Sequence, residues 1–435
     1  MEDLIIENKV KELIDLDKKF FLHPSSSIKE QQQKGPELII KEGKGIYLYD
    51  IHGNKLIDGL SSLWNVNIGH GRTELAEAAM KQMSKLGYSS TFGTVSHEPV
   101  IRLASKIAQI TPGSLKTTFF TSGGSEATDS AFKLVRHYWK LKGFQHRTKI
   151  IARKNAYHGL TIGSTSATGI THFNDFIGAK APDFIHVDSF SPEALCQAIE
   201  DHGAESVAAF IAEPVQGAGG VHVPPPKYFQ EIRKICNDYN ILFIADEVIT
   251  GFGRTGKMFA MEHWGIVPDV MCFAKGVTSG YCPLGGVVIS EKIHEELIDL
   301  SNDVLFHGFT YSGHPVSCAV AMKNIDIIEK ENLIENAKKM GDELLTGLKT
   351  LQEKFSVICE VRGLGLMAAI EFNGRNENEK LSKKVSQECL KRGLICRNVI
   401  HGRQDALVLA PPLTIDKKEV QIILSILFDS LNQLQ

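Results

Sequence analysis

Short apolar runs alternate with amphipathic stretches through the middle of this chain. KTTFFTS, KIIARKN, ESVAAFIAE, NILFIADEV and VMCFA are bounded by turn residues, the pattern of strands buried on both faces. TELAEAAMKQMSKL, EPVIRLASKIAQI, SEATDSAFKLVRHYWKL and PKYFQEIRKICNDY space their apolar residues as helices do. Such alternation predicts an α/β fold, a mostly parallel sheet covered by helices. Ahead of it, residues 1–22 read as an amphipathic helix. GKGIYLYDIHGNKLIDG reads as a hairpin around a His-Gly-Asn turn. From about residue 320 the character changes. A long helical stretch, 316–355, leads to strands in VICEVRGLGLMAAIEF, GLICRNVI and ALVLAPPL, and to a closing helix after Asp416. The expected division is an N-terminal segment, 1–60, packing with a small α+β domain, 326–435, beside a large domain, 61–325.

Composition narrows the class. With 435 residues, 43% of them hydrophobic, the chain can bury a large core without a disulfide or metal staple. A formal net charge of −3 gives no basic field for nucleic acid or an anionic membrane. The eight cysteines form no CxxC pair and mostly sit in apolar segments, as buried free thiols of a reducing compartment do, so no metal site is expected. The N-terminus lacks a signal peptide's apolar core and no apolar run is long enough to cross a bilayer. A cytoplasmic protein without a membrane partner is the expectation.

In open α/β sheets, ligands gather at the carboxyl ends of strands, so those ends were read for chemistry. After KTTFF comes TSGGSEA, a Gly-rich turn running into a helix. Gly124 and Ser125 there form either an anion site at a helix N-terminus or an ordinary cap by Ser122 or Ser125. After KIIARKN come Tyr157 and His158; the tyrosine either stacks on a flat ligand or is half-buried packing. After NILFIA come Asp246 and Glu247, acids that need a partner if buried. After VMCFA comes Lys275, either a snorkelling lysine or a neutral amine able to attack a carbonyl. Two nucleotide-site patterns overlap at GFGRTGKM, residues 251–258. Met258 stands where a phosphate-binding loop needs a hydroxyl, and the acidic strand comes too close before the glycines, so both are rejected. An anion site, an aromatic, a buried acid and a buried amine together suit pyridoxal phosphate (PLP), which has a phosphate, a flat ring, a ring nitrogen and an aldehyde.

At these residues the chain resembles a class III (ω-amino acid) aminotransferase of fold type I. SGGSEA, YHG, EPVQGAGG, ADEVITGFGRTG, FAKGVTSGY and GFTYSGHP occur in that family's order along nearly the whole length. The resemblance implies PLP held covalently on Lys275, Asp246 on its ring nitrogen, and Tyr157 and Val248 on its two faces. It implies Gly124 and Ser125 on the phosphate, with His158 and Glu213 also at the cofactor. Thr310 would reach the phosphate from a neighbouring subunit, implying a homodimer, or a tetramer built from it, with shared sites. Trp64, Phe92 and Ala218 match pocket positions of pyruvate-using relatives, and Arg397 matches a mobile carboxylate-gripping arginine. Ile249 stands where ornithine and γ-aminobutyrate aminotransferases often carry Gln, which favours a β-alanine, taurine or polyamine to pyruvate exchange. Ser25 replaces an aromatic of the relatives. Alternatives on this scaffold are a diaminopelargonate-type aminotransferase and an aminomutase or decarboxylase. A PLP-binding protein without catalysis and a nucleotide-binding protein using GFGRTG are the other classes weighed.

Overall fold

The computed structural model describes residues 2–373, 380–402 and 404–434. A helix, Glu2–Phe20, leads through a second short helix, Ile28–Lys34, to three antiparallel strands: β1 (Ile40–Lys44), β2 (Tyr47–Asp50) and β3 (Lys55–Asp58). The expected His-Gly-Asn turn joins β2 to β3. Asp50 fixes it, its carboxylate accepting from the His52 and Asn54 amides.

The middle of the chain forms a seven-stranded sheet. Its strands are β4 (Leu115–Thr121), β5 (Lys149–Arg153), β6 (Phe184–Val187), β7 (Val207–Ala212), β8 (Leu242–Asp246), β9 (Val270–Phe273) and β10 (Gly285–Ser290), in the order β4-β10-β9-β8-β7-β5-β6. Every neighbouring pair is parallel except those of β10, which runs antiparallel to β4 and β9. The sequence pattern missed two of these strands. Three of the four residues of β6 are only partly buried at the sheet edge, and two glycines open β10, so neither presents a long apolar run. β7 and β8 are buried along their whole length because helices cover both faces. The helix Gly124–Leu141 packs Ala131, Val135 and Trp139 onto Ile150, Ile211 and Ile244; Phe210, Phe243 and Phe273 face the opposite layer.

The long helical stretch after residue 315 is two helices, Pro315–Lys330 and Leu333–Lys354. Asn332 breaks it, adopting left-handed φ/ψ of 53° and 39°, which asparagine tolerates better than most residues. The first helix packs on the helices Thr73–Lys85 and Glu98–Ile110. The second packs on β11 (Ile358–Gly363), β12 (Ala368–Phe372) and the helix Lys417–Asn432; the short β13 (Leu394–Ile395), β14 (Arg397–His401) and β15 (Gln404–Leu409) complete the C-terminal strands. β11-β12-β15-β14 is an antiparallel sheet, whereas β13 pairs in parallel with β3 and ties the N-terminal strands to this end of the chain. Asp416 starts the last helix with a reciprocal cap: its carboxylate accepts from the Glu419 amide, and the Glu419 carboxylate accepts from its own. Among the described residues no helix is long and apolar enough to cross a membrane.

Gly341 lets the helix Leu333–Lys354 sit directly on the turn between β11 and β12. A Cβ there would lie 2.3 Å from the Gly365 backbone, which has no side chain to yield. Gly341→Ala should therefore cost about 1–3 kcal/mol of stability despite alanine's better helix propensity, read as a lower denaturation midpoint.

Candidate active site

The carboxyl ends of five central strands meet at one cavity of about 520 Å³. β4 delivers Gly124 and Ser125, β5 Tyr157 and His158, β7 Glu213, β8 Asp246, and β9 Lys275. The parallel register sets Asp246 opposite Cys272, so Lys275, three residues further on, follows beside it. Lys275 itself has a φ of 45°, an uncommon conformation for a residue with a side chain and a mark of local constraint.

The floor of the cavity is polar and dry. Asp246 is 4% exposed, and the imidazole Nδ1 of the buried His158 lies 2.7 Å from its carboxylate. The other carboxylate oxygen accepts from the Val248 amide at 3.1 Å. Glu247, its neighbour, turns away from the cavity. It accepts from the Ala260 and Met261 amides and the Thr250 hydroxyl, and burial raises its pKa to about 7. The acid pair of the sequence is thus one site carboxylate and one loop clamp. Glu213 is a second buried acid of the floor. It accepts from the amides of Tyr157 (2.9 Å) and Gly217 (3.1 Å), and burial raises its pKa to about 7 against the pull of His158.

Burial likewise lowers the Lys275 amine to about 8, against the opposing pull of Asp246 and Glu213. Neither the helix start nor the walls are loosely placed. A Cβ on Gly124 would meet Val248 at 2.8 Å, so the first turn of the helix Gly124–Leu141 closes directly on the strand ends. The Ser125 hydroxyl accepts from the Leu160 amide, binding this turn to the loop after Tyr157.

Higher up, the walls are largely apolar: Trp64, Val215, Ala218, Val248 and Ile249. Phe173 also lines the cavity and meets the Tyr157 ring edge-on, centroids 5.5 Å apart. It gave no sequence signal because its five-residue helix, Thr171–Asp175, stands at no strand end. Pro24 and Ser25 contribute from the N-terminal segment. Arg397, the first residue of β14, brings a guanidinium to the same space, and burial lowers its pKa. No described residue forms a hydrogen bond or ion pair with that guanidinium.

Two residues singled out in the sequence do not reach this cavity. Phe92 is 53% exposed, its ring against Gly308. Thr310 is exposed, and its carbonyl accepts from the Tyr88 hydroxyl at 2.8 Å. Both belong to one surface knot, in which the Thr91 hydroxyl also donates to the Ser312 carbonyl.

The residues present fit PLP. An amine with no hydrogen-bonding partner among the described residues sits beside a buried carboxylate–imidazole pair able to hold a protonated ring nitrogen. A helix N-terminus with a serine hydroxyl offers donors for a phosphate. The buried Nε2 of His158 has no partner among the described residues, which leaves it a donor or acceptor for another occupant of the site.

The lowered amine has a consequence for stability in the cofactor-free protein. Its folded pKa lies below the unfolded one, so the unfolded chain binds the extra proton and stability rises with pH in that window. Lys275→Met should therefore be more stable than wild type at neutral pH, with the advantage shrinking from pH 8 toward the ordinary lysine range. Denaturant midpoints measured across that range check it.

Comparison with known proteins agrees with this chemistry. The model of the family "Aminotransferase class-III" matches residues 28–431. A putrescine–pyruvate aminotransferase of Pseudomonas aeruginosa is 39% identical, the alignment covering 100% of this chain and 98% of that protein. A transaminase from the marine bacterium Virgibacillus has a TM-score of 0.95 at 54% identity, covering 98% of this chain and 100% of that one. An (S)-enantioselective omega-transaminase from Thermomicrobium roseum has a TM-score of 0.93 at 42% identity, covering 98% of each. The chain belongs to the class III aminotransferases, PLP-dependent enzymes of fold type I that take an amino group from a donor and pass it to a keto acid.

Proposed function

We propose that this enzyme carries the amino group of an amine or ω-amino acid (β-alanine, taurine, a polyamine or similar) to pyruvate in a ping-pong cycle. The observation that carries the choice of acceptor is Arg397. Apart from Lys275, it is the one permanently cationic side chain of the cavity among the described residues, and no acid there pairs with it. A guanidinium so placed suits one planar carboxylate, bound bidentately. Pyruvate has one carboxylate and a methyl group, which the apolar wall of Trp64, Val215 and Ala218 accommodates. A dicarboxylic keto acid would leave its second carboxylate without a cation in a poorly solvated space. The same arrangement leaves Arg397 free to move aside when the donor brings no carboxylate.

In this reading Lys275 holds the cofactor and moves the proton at the reacting carbon, which its lowered pKa suits near neutral pH. Asp246, oriented by His158, holds the ring nitrogen. Tyr157 and Val248 confine the ring, Gly124 and Ser125 hold the phosphate, and Glu213 keeps the Tyr157 backbone in place. Bound there, PLP supplies an aldehyde that can exchange one amine for another and a ring that withdraws electrons. The exposed knot of Phe92 and Thr310 supports a homodimer in which a second copy lends these residues to the site. Its apolar side chains Tyr88, Phe92 and Tyr311 stay exposed in the single chain. The eight unpaired cysteines fit a reducing, cytoplasmic setting.

Lys275→Ala should lower turnover by at least about a thousandfold, since the group that moves the proton is gone. Steady-state rates at saturating donor and pyruvate check it. Arg397→Ala should raise KM for pyruvate by about 10- to 100-fold, the loss of a charge-assisted carboxylate contact, and leave KM for a donor without a carboxylate within about threefold. A wild-type preference for 2-oxoglutarate over pyruvate would contradict the acceptor assignment.

A further inference from the structure

The loop GFGRTG serves neither a nucleotide nor the floor of the cavity, yet it contains one of the most deeply buried charges in the protein. Arg254 is 0% exposed, and burial lowers its pKa to about 9, against the weak pull of Asp58. Among the described residues no carboxylate accepts a hydrogen bond from it. Its two terminal nitrogens instead donate to four neutral oxygens from three other stretches of chain. Nη2 reaches the Ser61 hydroxyl at 2.9 Å and the Asn67 side-chain carbonyl at 2.8 Å. Nη1 reaches the backbone carbonyls of Pro411 and Leu366. A cation buried this way is costly, and an apolar residue of similar volume would often hold a fold as well. What distinguishes the site is the stretch it grips.

That stretch, residues 58–67, is the strained wall of the cavity. Ser61, Ser62 and Trp64 have φ of 49°, 56° and 64°, three left-handed residues with side chains within four positions. Conformations of this kind persist only where surrounding contacts over-determine them. Asp58 supplies part of the restraint: it accepts from the Leu60 and Ser62 amides and lies 2.7 Å from the His70 imidazole. Arg254 adds a second restraint, from the GFGRTG loop, through Ser61 and Asn67. The Ser61 hydroxyl that accepts from it donates in turn to the Ala410 carbonyl at 2.7 Å. Asn67 donates to the Phe252 carbonyl, in Arg254's own loop, and its amide packs against the backbone of Gly276, next to Lys275. Leu63 and Trp64, carried by this stretch, line the cavity.

We propose that Arg254 is a positioning residue for substrate fit: its planar fork holds the Ser61–Trp64 turn in its strained form and so sets the place of Trp64 against the donor. Lysine would keep the charge but not the fork, because one ammonium cannot present paired donors along four directions. The assignment rests on the aminotransferase reading of the cavity, so wild-type turnover with the chosen donor is measured first. The failure of that reading would appear there, before any variant is compared.

The test uses the holoenzyme as wild type, Arg254→Lys, Ser61→Ala and the double variant. Ser61→Ala removes one hydroxyl and keeps the arginine, so it remains informative if Arg254→Lys folds poorly. Hydrogen exchange of peptides spanning 58–68 is read beside KM and kcat for the amine donor and the intensity of the bound cofactor's visible band. The expected result is faster exchange confined to that stretch and donor KM raised about tenfold for Arg254→Lys and less for Ser61→Ala, with kcat within about threefold and the cofactor band unchanged. The double variant should be less than additive, since both changes break one linked contact. Two results would overturn the assignment. One is faster exchange at 58–68 with donor KM unchanged. The other is activity lost together with the cofactor band or by general destabilisation, the behaviour of an arginine that only holds the fold.

Discussion

Everything in this molecule's chemistry depends on keeping an amine and two acids together in a place largely closed to solvent. Lys275, Asp246 and Glu213 share the floor of one cavity; both acids are buried and the lysine is partly so. Such a cluster survives only if every charge has a counterpart. Asp246 has the His158 imidazole, Glu213 has two backbone amides, and Lys275 adapts by giving up its proton more readily. The parallel sheet makes the cluster possible. Its carboxyl ends bring residues nearly 30 positions apart in sequence side by side.

The upper part of the cavity is governed by a different constraint, the seam between the central sheet and the C-terminal strands. Three consecutive carbonyls of the Ala218–Gly220 turn meet side chains from that end: His401 near Ala218, Gln404 donating to Gly219, and Arg362 donating to Gly220. The same sheet presents Arg397 on β14. The turn that leaves room beside the guanidinium and the strand that carries it are thus fixed to each other. The strained Ser61–Trp64 turn is fixed through buried Arg254 to Leu366 and Pro411, and Trp64 packs in one apolar cluster with Val221 and Val399. The pocket that meets substrate is therefore built from contacts between distant stretches of chain, while the floor is built from one sheet.

That difference explains what the sequence revealed. The floor was legible because its residues stand at ends of apolar strands: Tyr157 after β5, Asp246 at the end of β8, Lys275 after β9. A polar group at such a place stands out against the hydrophobic run before it. Trp64, Ala218 and Arg397 were legible only through resemblance, since nothing local marks them as facing one space. Phe173 and Leu63 were not legible at all, because a short helix and a strained turn bring them in. GFGRTG is a decoy that the sequence itself exposes, since Met258 stands where a phosphate loop needs a hydroxyl. Its glycines imitate a phosphate loop, but its arginine is buried as an internal tie rather than offered to a ligand. The strand β10 and the break at Asn332 escaped for a plainer reason: a short run opened by glycines and a single left-handed residue leave little trace in periodicity.

The central claim is that Lys275 and its neighbours make this cavity a PLP site that exchanges amines. The most direct measurement is the visible absorption spectrum of the purified protein with added PLP, recorded before and after β-alanine, taurine, putrescine and an aromatic amine, one at a time. The expected result is a visible band that at least one amine bleaches and that pyruvate then restores. A protein that shows no such band with PLP present, or a band that none of these amines bleaches, would contradict it.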